Sequence, residues 1–375
     1  MATRPSISII EHFADLSDPR RREGTYPLIN FLVIGICAIL SGADDFVAMA
    51  EFGRVRRKFL EPFLDLSTGI PSHDRFNAIF AAIKPAEFEK CLLSWITALH
   101  EFTAGQVIAI DGKTLRRSYD RARGKSAIHM VSAWATANHI SLGQTVVDEK
   151  SNEITAIPEL LKILEISGCL VTIDAMGCQV KIAAAIVDKG GDYVLAVKGN
   201  QQSLYNSIYR FWNDHESDDF ARVEVDRYQT QERGHGREER RDYVTCALPE
   251  TFPDRERWPK LTAIGIAVNH TLRDGKLTRD VRCYILSTLP TARRFGEAVR
   301  GHWAIENRCH WQLDVTFQED QCRIRKGHAD ANFAVMRRMA ISLLKNNHGR
   351  KVGIKNKRLI AALDEQYLTE VLLGK

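Results

Sequence analysis

The apolar pattern of the chain changes period more than once. Up to about residue 98 it recurs at helical spacing. Pro27 opens the continuous apolar run LINFLVIGICAIL, which Gly42 closes, and FVAMAEFGRVRRKFLEPF continues as an amphipathic segment. Two further helices are predicted, DRFNAIFAAI with Ser72 as its cap and the stretch that Pro85 starts. From about Gln106 the period falls to two, and VIAIDGK, AIHMVSAWATAN and ISLGQTVVDE read as a meander of strands. Next come the helix IPELLKILEI, the strand CLVTIDA, a helix over about 179–189 and the strand YVLAVKG. This alternation predicts a partly parallel sheet with helices packed on it. GNQQSLYNSIYRFWND predicts another helix, and the region over about 217–289 returns to polar, strand-like runs separated by turns such as RDGK. Beyond it, no proline or glycine interrupts the chain between His302 and Arg325. Helical spacing there lines up Trp303, Glu306, His310, Leu313 and Phe317 on one side, which places Glu306 among large apolar neighbours.

The pattern divides the chain into a helical unit over 1–98, an α/β unit over 104–346 with a β-rich insertion at about 217–289, and a C-terminal tail over 347–375. Hydrophobic residues make up 45% of the sequence, enough for substantial cores. The run from Leu28 to Leu40 is too short to span a bilayer, and MATRPSISIIEHF lacks the apolar centre and cleavage site of a signal peptide. A cytoplasmic protein without membrane contact is therefore expected. The eight cysteines contain no CxxC pair, which excludes a zinc ribbon and points away from a disulfide framework. Lys and Arg number 52 against 47 Asp and Glu, a net charge of +5 that permits a polyanionic partner without requiring one. Where the charge clusters matters more. Arg54, Arg56, Arg57 and Lys58 form one basic block, and the loop ERGHGREERR, with Arg237, Arg240 and Arg241, forms another. Each is either a phosphate contact or a solvated surface.

Two apolar strands each end in one aspartate, Asp111 of VIAIDGK and Asp174 of LVTIDAMG, with Gly112 and Ala175 leaving space beside them. Strand ends bring carboxylates together from distant parts of a sequence, and a helix carrying Glu306 supplies a third. Three such acids suit hard divalent cations. Each alone has an ordinary reading too: a turn aspartate, or a glutamate paired with Arg300 or Arg308. Trp303 and Trp311 read as core residues.

On these residues the sequence resembles the DDE transposases of bacterial insertion sequences, in the ISAs-type group that includes the H-repeat-associated proteins. The resemblance runs over nearly the whole chain. Its motifs are DPRRREGTYPL, IPSHDRFNAIF, AIDGKTLRRS, TIDAMGCQ, YVLAVKGNQ, HWAIENRCHWQLDVTFQED and RIRKGHADANFAVMRRMAISLLK. It implies an α/β fold, a ribonuclease H-like mixed sheet with flanking helices, a β-rich insertion before the last catalytic helix and an N-terminal helical, DNA-contacting domain. It implies a bacterial transposase that cuts and joins DNA, with Asp111, Asp174 and Glu306 catalytic and binding two Mg²⁺ or Mn²⁺ ions. The partners implied are double-stranded DNA, as element terminal inverted repeats and target, and a second copy in a homodimeric synaptic complex, in a cytoplasmic protein that joins the nucleoid when bound to DNA. Candidate DNA contacts are Lys113, Arg116, Arg117, Lys198, Arg237, Arg240, Arg241, His302 and Arg308. The wider group's tyrosine, arginine, glutamate and lysine signature is kept only at Glu306: Val299, His302 and Leu313 stand at the other places. The roles of that arginine and lysine are not carried over. Two alternatives stay open: a ribonuclease H-type nuclease that cuts without joining, and a non-catalytic DNA-binding recombination protein derived from a transposase.

Overall fold

The computed structural model of the chain describes residues 9–22, 24–99, 105–115, 117–119, 127–137, 139–147, 153–234 and 236–373. Helices come first: α1 (Ile9–His12), α2 (Leu28–Leu40), α3 (Phe46–Val55), α4 (Arg57–Leu60), α5 (His73–Ala82) and α6 (Pro85–Leu99). The apolar run is α2, and its side chains from Asn30 to Leu40 are buried. Asn30, a polar group in that run, gives its side-chain amide to the Asp65 carbonyl at 2.6 Å, which offsets part of the cost of its burial. Ser72 caps α5 by accepting from the Arg75 N–H at 3.4 Å.

Strands β1 (Val107–Thr114), β2 (His129–Ala135) and β3 (Ile140–Val147) form the expected meander. Helix α7 (Glu153–Ile163), β4 (Leu170–Ile173), α8 (Val180–Asp188), β5 (Asp192–Val197) and α9 (Gln202–Glu216) come next along the chain. β1, β4 and β5 run parallel, and their buried residues, such as Ile108, Ile110, Val171, Ile173 and Leu195, show the continuous apolar texture of strands covered on both faces.

The β-rich stretch holds β6 (Val225–Gly234), β7 (Arg237–Ala247), β8 (Ala263–Arg273) and β9 (Lys276–Leu286). They do not build a sheet of their own. β9 pairs antiparallel with β5, so one nine-stranded mixed sheet results, ordered β3-β2-β1-β4-β5-β9-β8-β7-β6. This pairing satisfies the backbone groups that the edge of β5 would otherwise leave open. Only Cys283 to Leu286 of β9 face β5, beside Val194 to Val197. The earlier half of β9, with β8 and β7, therefore runs on past the C-terminal end of β5 as a ribbon arm.

Helix α10 (Ala292–Ile305) crosses this sheet, and the chain continues through a π-helical turn over Glu306–His310 into α11 (Trp311–Val315). The uninterrupted helix expected to Arg325 stops here: Gln318 takes a left-handed conformation (φ 52°) and a single 3₁₀ turn spans Glu319–Gln321. α12 (Ala329–Asn346) is buried from Ala329 to Leu344 and lies between the amino-terminal helices and β3. Its Asn332 amide caps the end of α5, donating to the carbonyls of Phe80 (2.8 Å) and Ile83 (2.9 Å).

The stretch read as a C-terminal tail contains two packed helices, α13 (Ile354–Leu363) and α14 (Glu365–Leu372), set against α2 and α12. Arg358 donates to the Ile39 carbonyl at 3.1 Å and to Asp44 Oδ1 at 3.0 Å, with its guanidinium 4.3 Å from the ring centre of Phe317. Lys357 donates to the carbonyls of Leu344 (2.8 Å) and Asn347 (2.6 Å). Helix C-termini that would otherwise keep bare carbonyls are thus satisfied by cations from the last residues of the chain. Among the described residues no helix is long and apolar enough to cross a membrane.

Candidate active site

The parallel register sets the first two acids side by side. Ile110 of β1 lies opposite Ile173 of β4 as the last pair of their parallel ladder, so the next residues, Asp111 and Asp174, emerge side by side where that ladder stops; β4 ends there, whereas β1, expected to end at Asp111, runs on to Thr114 against β2. Asp174 Oδ1 accepts from the N–H groups of Met176 (3.0 Å) and Gly177 (3.2 Å), a turn that fixes its carboxylate. Asp111 is mostly buried, with its side chain 20% exposed. Burial, together with the negative fields of Asp174, Glu153 and Glu306, pushes its carboxyl up to about 7 against the opposing N–H of Gly112. Glu306 is thus near enough for its charge to be felt at Asp111.

Glu306 does not sit among large apolar side chains as the spacing predicted; it is exposed. The π turn that begins at this residue adds a backbone position and rotates the residues after it. Leu313 and Phe317 are buried as the spacing predicted, and Cys309 and Ile305 extend their stripe in place of Glu306 and Trp303. Trp303 and Trp311, expected in the core, are 36% and 53% exposed, and the guanidinium of Arg282 covers the Trp303 ring at 4.2 Å.

Two histidines lie under the carboxylates. His302, proposed from sequence as a DNA contact, is only 9% exposed and faces the sheet, its Nδ1 3.3 Å from Thr172 Oγ1. Burial holds it neutral, down to about 4. His310 Nδ1 lies 3.5 Å from Asp111 Oδ2. Burial first, then Arg338 and Lys113, bring it to about 3.

The remaining proposed contacts divide into three sets. Lys113 is turned inward: its side chain is 10% exposed and its ammonium bridges Asp314 Oδ1 (2.5 Å) and Glu319 Oε2 (2.7 Å), because strand alternation points it to the same covered face as Asp111. Arg237, Arg240 and Arg241 lie on the arm in ion pairs, with Glu239 (3.3 Å), Asp242 (3.1 Å) and Glu232 (3.0 Å) respectively. The basic block at α3 and α4 is engaged likewise, Arg54 with Glu51, Arg56 with Glu365 and Arg57 with Glu61. Lys198, Arg117 and Arg308 are exposed; Lys198 comes directly after the end of β5, on the same side as the aspartates, and Arg308 donates to His139 Nε2 at 3.2 Å. Arg116 lies outside the described residues.

Between the arm and α10 runs a cleft of about 660 Å³, lined by Arg241, Arg282, Arg300, Trp303 and Arg308 among others. Its wall carries four guanidinium groups and the ring of Trp303, together with the acids Asp280 and Glu297.

Sequence reasoning missed Glu153 and His129. Glu153 opens α7 and lies 2.5 Å from His129 Nε2; a side chain at Gly112 would collide with both. No local pattern marks Glu153, since helix packing alone brings it to the site. Among the described residues no three His, Cys, Asp or Glu side chains are drawn together as a ready metal shell. The donor chemistry nevertheless fits a hard cation: burial first, and then the negative fields of Asp174, Glu153 and Glu306, raise the Asp111 carboxyl, and a bound cation would offset both.

Comparison with known proteins places the chain in a family. Residues 103–343 match the family described as "Transposase DDE domain", and residues 10–96 match "DDE_Tnp_1-associated". The chain is 40% identical over 374 residues to "H repeat-associated putative transposase YhhI" of Escherichia coli (strain K12), covering 98% of each chain. It is 39% identical over 370 residues to "Putative transposase YncI" of Escherichia coli O157:H7, covering 97% of this chain and 94% of that one. A solved piggyBac transposase synaptic complex with hairpin DNA aligns at a TM-score of 0.40 and 11% identity, over 98% of this chain and 79% of that one, too distant to bear on function.

Proposed function

The chain belongs to the DDE transposase family, and from that premise we propose a DNA transposase whose strand cleavage and strand transfer run on Asp111, Asp174 and Glu306. The observation that carries the assignment is the register that sets Asp111 and Asp174 side by side just past the last pair of the parallel β1–β4 ladder, with the charge of Glu306 acting on Asp111. The finer fold reading goes with it: β1 to β5 with their helices form a ribonuclease H-like core, β6 to β9 are its insertion, and the amino-terminal helices contact DNA.

The three carboxylates are the groups that hold two Mg²⁺ or Mn²⁺ ions, which when bound supply nucleophile activation and charge neutralisation at phosphorus. The protein's own part is positioning. Asp174 is oriented by its two backbone N–H donors, and His302 and His310, both neutral, add no positive charge that would compete with the cations. Lys198 and Arg308 are placed to take the phosphate backbone at the site's rim. The partners are the element's terminal repeats and target DNA, held by a homodimer.

Asp111→Asn, Asp174→Asn and Glu306→Gln are each expected to abolish cleavage of element ends while leaving DNA binding in place. An Asp111→Asn protein that still cuts would refute the assignment. Ends that are cut by the parent protein but never joined to target would favour a nuclease instead.

A further inference from the structure

Lys113 stands two residues after Asp111 in β1, yet its charge is directed inward. The two acids it meets come from the far side of Glu306: Asp314 lies in α11, and Glu319 in the 3₁₀ turn beyond it. Glu319 is 2% exposed, and its second oxygen lies 3.3 Å from NH1 of Arg338 in α12, itself 1% exposed. Two cations and two carboxylates thus join β1, α11, the 3₁₀ turn and α12 in one buried network. Such a network holds its members closely, because removing one partner leaves an uncompensated buried charge.

The position of this network explains what it does. Glu306 begins a π turn, where the i→i+4 ladder of the helix gives way to i→i+5 bonding. One turn before it, His302 is tied to β4 through Thr172. After it, Asp314 and Glu319 are tied to β1 through Lys113. Glu306 is therefore suspended between two anchors, one on β1, which carries Asp111, and one on β4, which Asp174 follows.

We infer that Lys113, Asp314 and Glu319 form an ion-pair clamp that sets the Glu306 carboxylate relative to Asp111, which makes Lys113 a positioning residue and not a DNA contact. The inference rests on the assignment of Asp111 and Glu306 to one cation site.

The test is Mn²⁺ affinity of the full-length, DNA-free protein, measured by the loss of the free-ion paramagnetic resonance signal. Lys113→Met is expected to weaken Mn²⁺ binding about tenfold, the usual scale for removing a group that orients a metal ligand. Glu306→Gln should weaken it comparably, and the double variant should be no weaker than the worse single one, because Lys113 acts through Glu306. Salt dependence of DNA binding supplies the separate readout: its slope stays unchanged in Lys113→Met, whereas loss of a phosphate contact lowers it by about one. Asp314→Asn, at a side chain 32% exposed, removes one arm of the clamp and is expected to show a smaller loss in the same direction even where Lys113→Met does not fold. Unchanged Mn²⁺ affinity in Lys113→Met (or in Asp314→Asn, if that is the variant that folds) beside a weakened Glu306→Gln overturns the clamp alone, as do additive losses in the double variant. Unchanged affinity in Glu306→Gln overturns the site assignment, and the clamp with it.

Discussion

Glu89 offers a test of the packing between α6 and the sheet. It is 8% exposed and accepts from the Gln144 N–H of β3. Burial pushes its carboxyl up to about 8, outweighing the opposing effects of that N–H and of Arg338. In the unfolded chain the same group titrates near 4.5. Because the folded value is the higher one, the folded protein binds the extra proton between the two. The stability this proton contributes is complete below 4.5 and is lost as pH rises towards 8. One bound proton of difference is a slope of about 1.4 kcal/mol per pH unit, so the full window amounts to about 5 kcal/mol as an order of magnitude. Glu89→Gln keeps an oxygen for the Gln144 N–H and never ionises. Urea unfolding of parent and variant at pH 5, 6, 7 and 8 isolates the effect, since every other titrating group cancels in the difference. The variant should gain steadily on the parent and be several kcal/mol the more stable at pH 8. A difference that stays flat, or a variant that is the weaker at pH 8, would show that Glu89 is ionised in the fold and paired.

Arg358→Met, which keeps the packing volume but strips the donors to Ile39, Asp44 and the Thr316 carbonyl, should cost about 3 kcal/mol in chemical denaturation. A loss below about 1 kcal/mol would mean that solvent reaches those carbonyls. Lys198→Gln and Arg308→Gln should each lower the salt slope of DNA binding by about one, while Arg240→Gln, whose charge Asp242 already meets, should leave it unchanged. Equal effects at all three positions would show that the arm gives up its internal pairs to bind DNA.

Much of the fold was legible in the sequence because its buried segments are uniform in period. LINFLVIGICAIL can only be a helix buried all round, and VIAID and LVTID, each ending in one acid, read at once as covered strands. The arm was legible as strands but not as part of the main sheet, since nothing in KLTRDVRCYIL states that its last residues pair with β5. The C-terminal helices were missed for a related reason. Their buried cations, Lys357 and Arg358, look like surface residues until the carbonyls they satisfy are seen. The ion pairs of the candidate DNA contacts were equally invisible to charge composition: Lys113 meets acids far downstream in the sequence, Arg241 meets Glu232 across a strand pair, and Arg237 and Arg240 meet Glu239 and Asp242 along their own strand.

The three acids differ in how well a sequence can place them, and the difference is physical. A strand residue has a direction set by the sheet, so two aspartates that follow the last pair of a parallel ladder emerge together once the strands are in register. A helical residue has a direction only if the helix keeps its pitch. At Glu306 it does not: with the π turn inserted, the stripe that buries Leu313 and Phe317 continues back through Cys309 and Ile305 and leaves the carboxylate outside. A period of 3.6 read through that turn carries the stripe to Glu306 and Trp303 instead, two errors from one inserted position. The same turn is also why Glu306 depends on anchors at His302 and at Asp314 with Glu319, whereas Asp111 and Asp174 need only the ladder of the sheet.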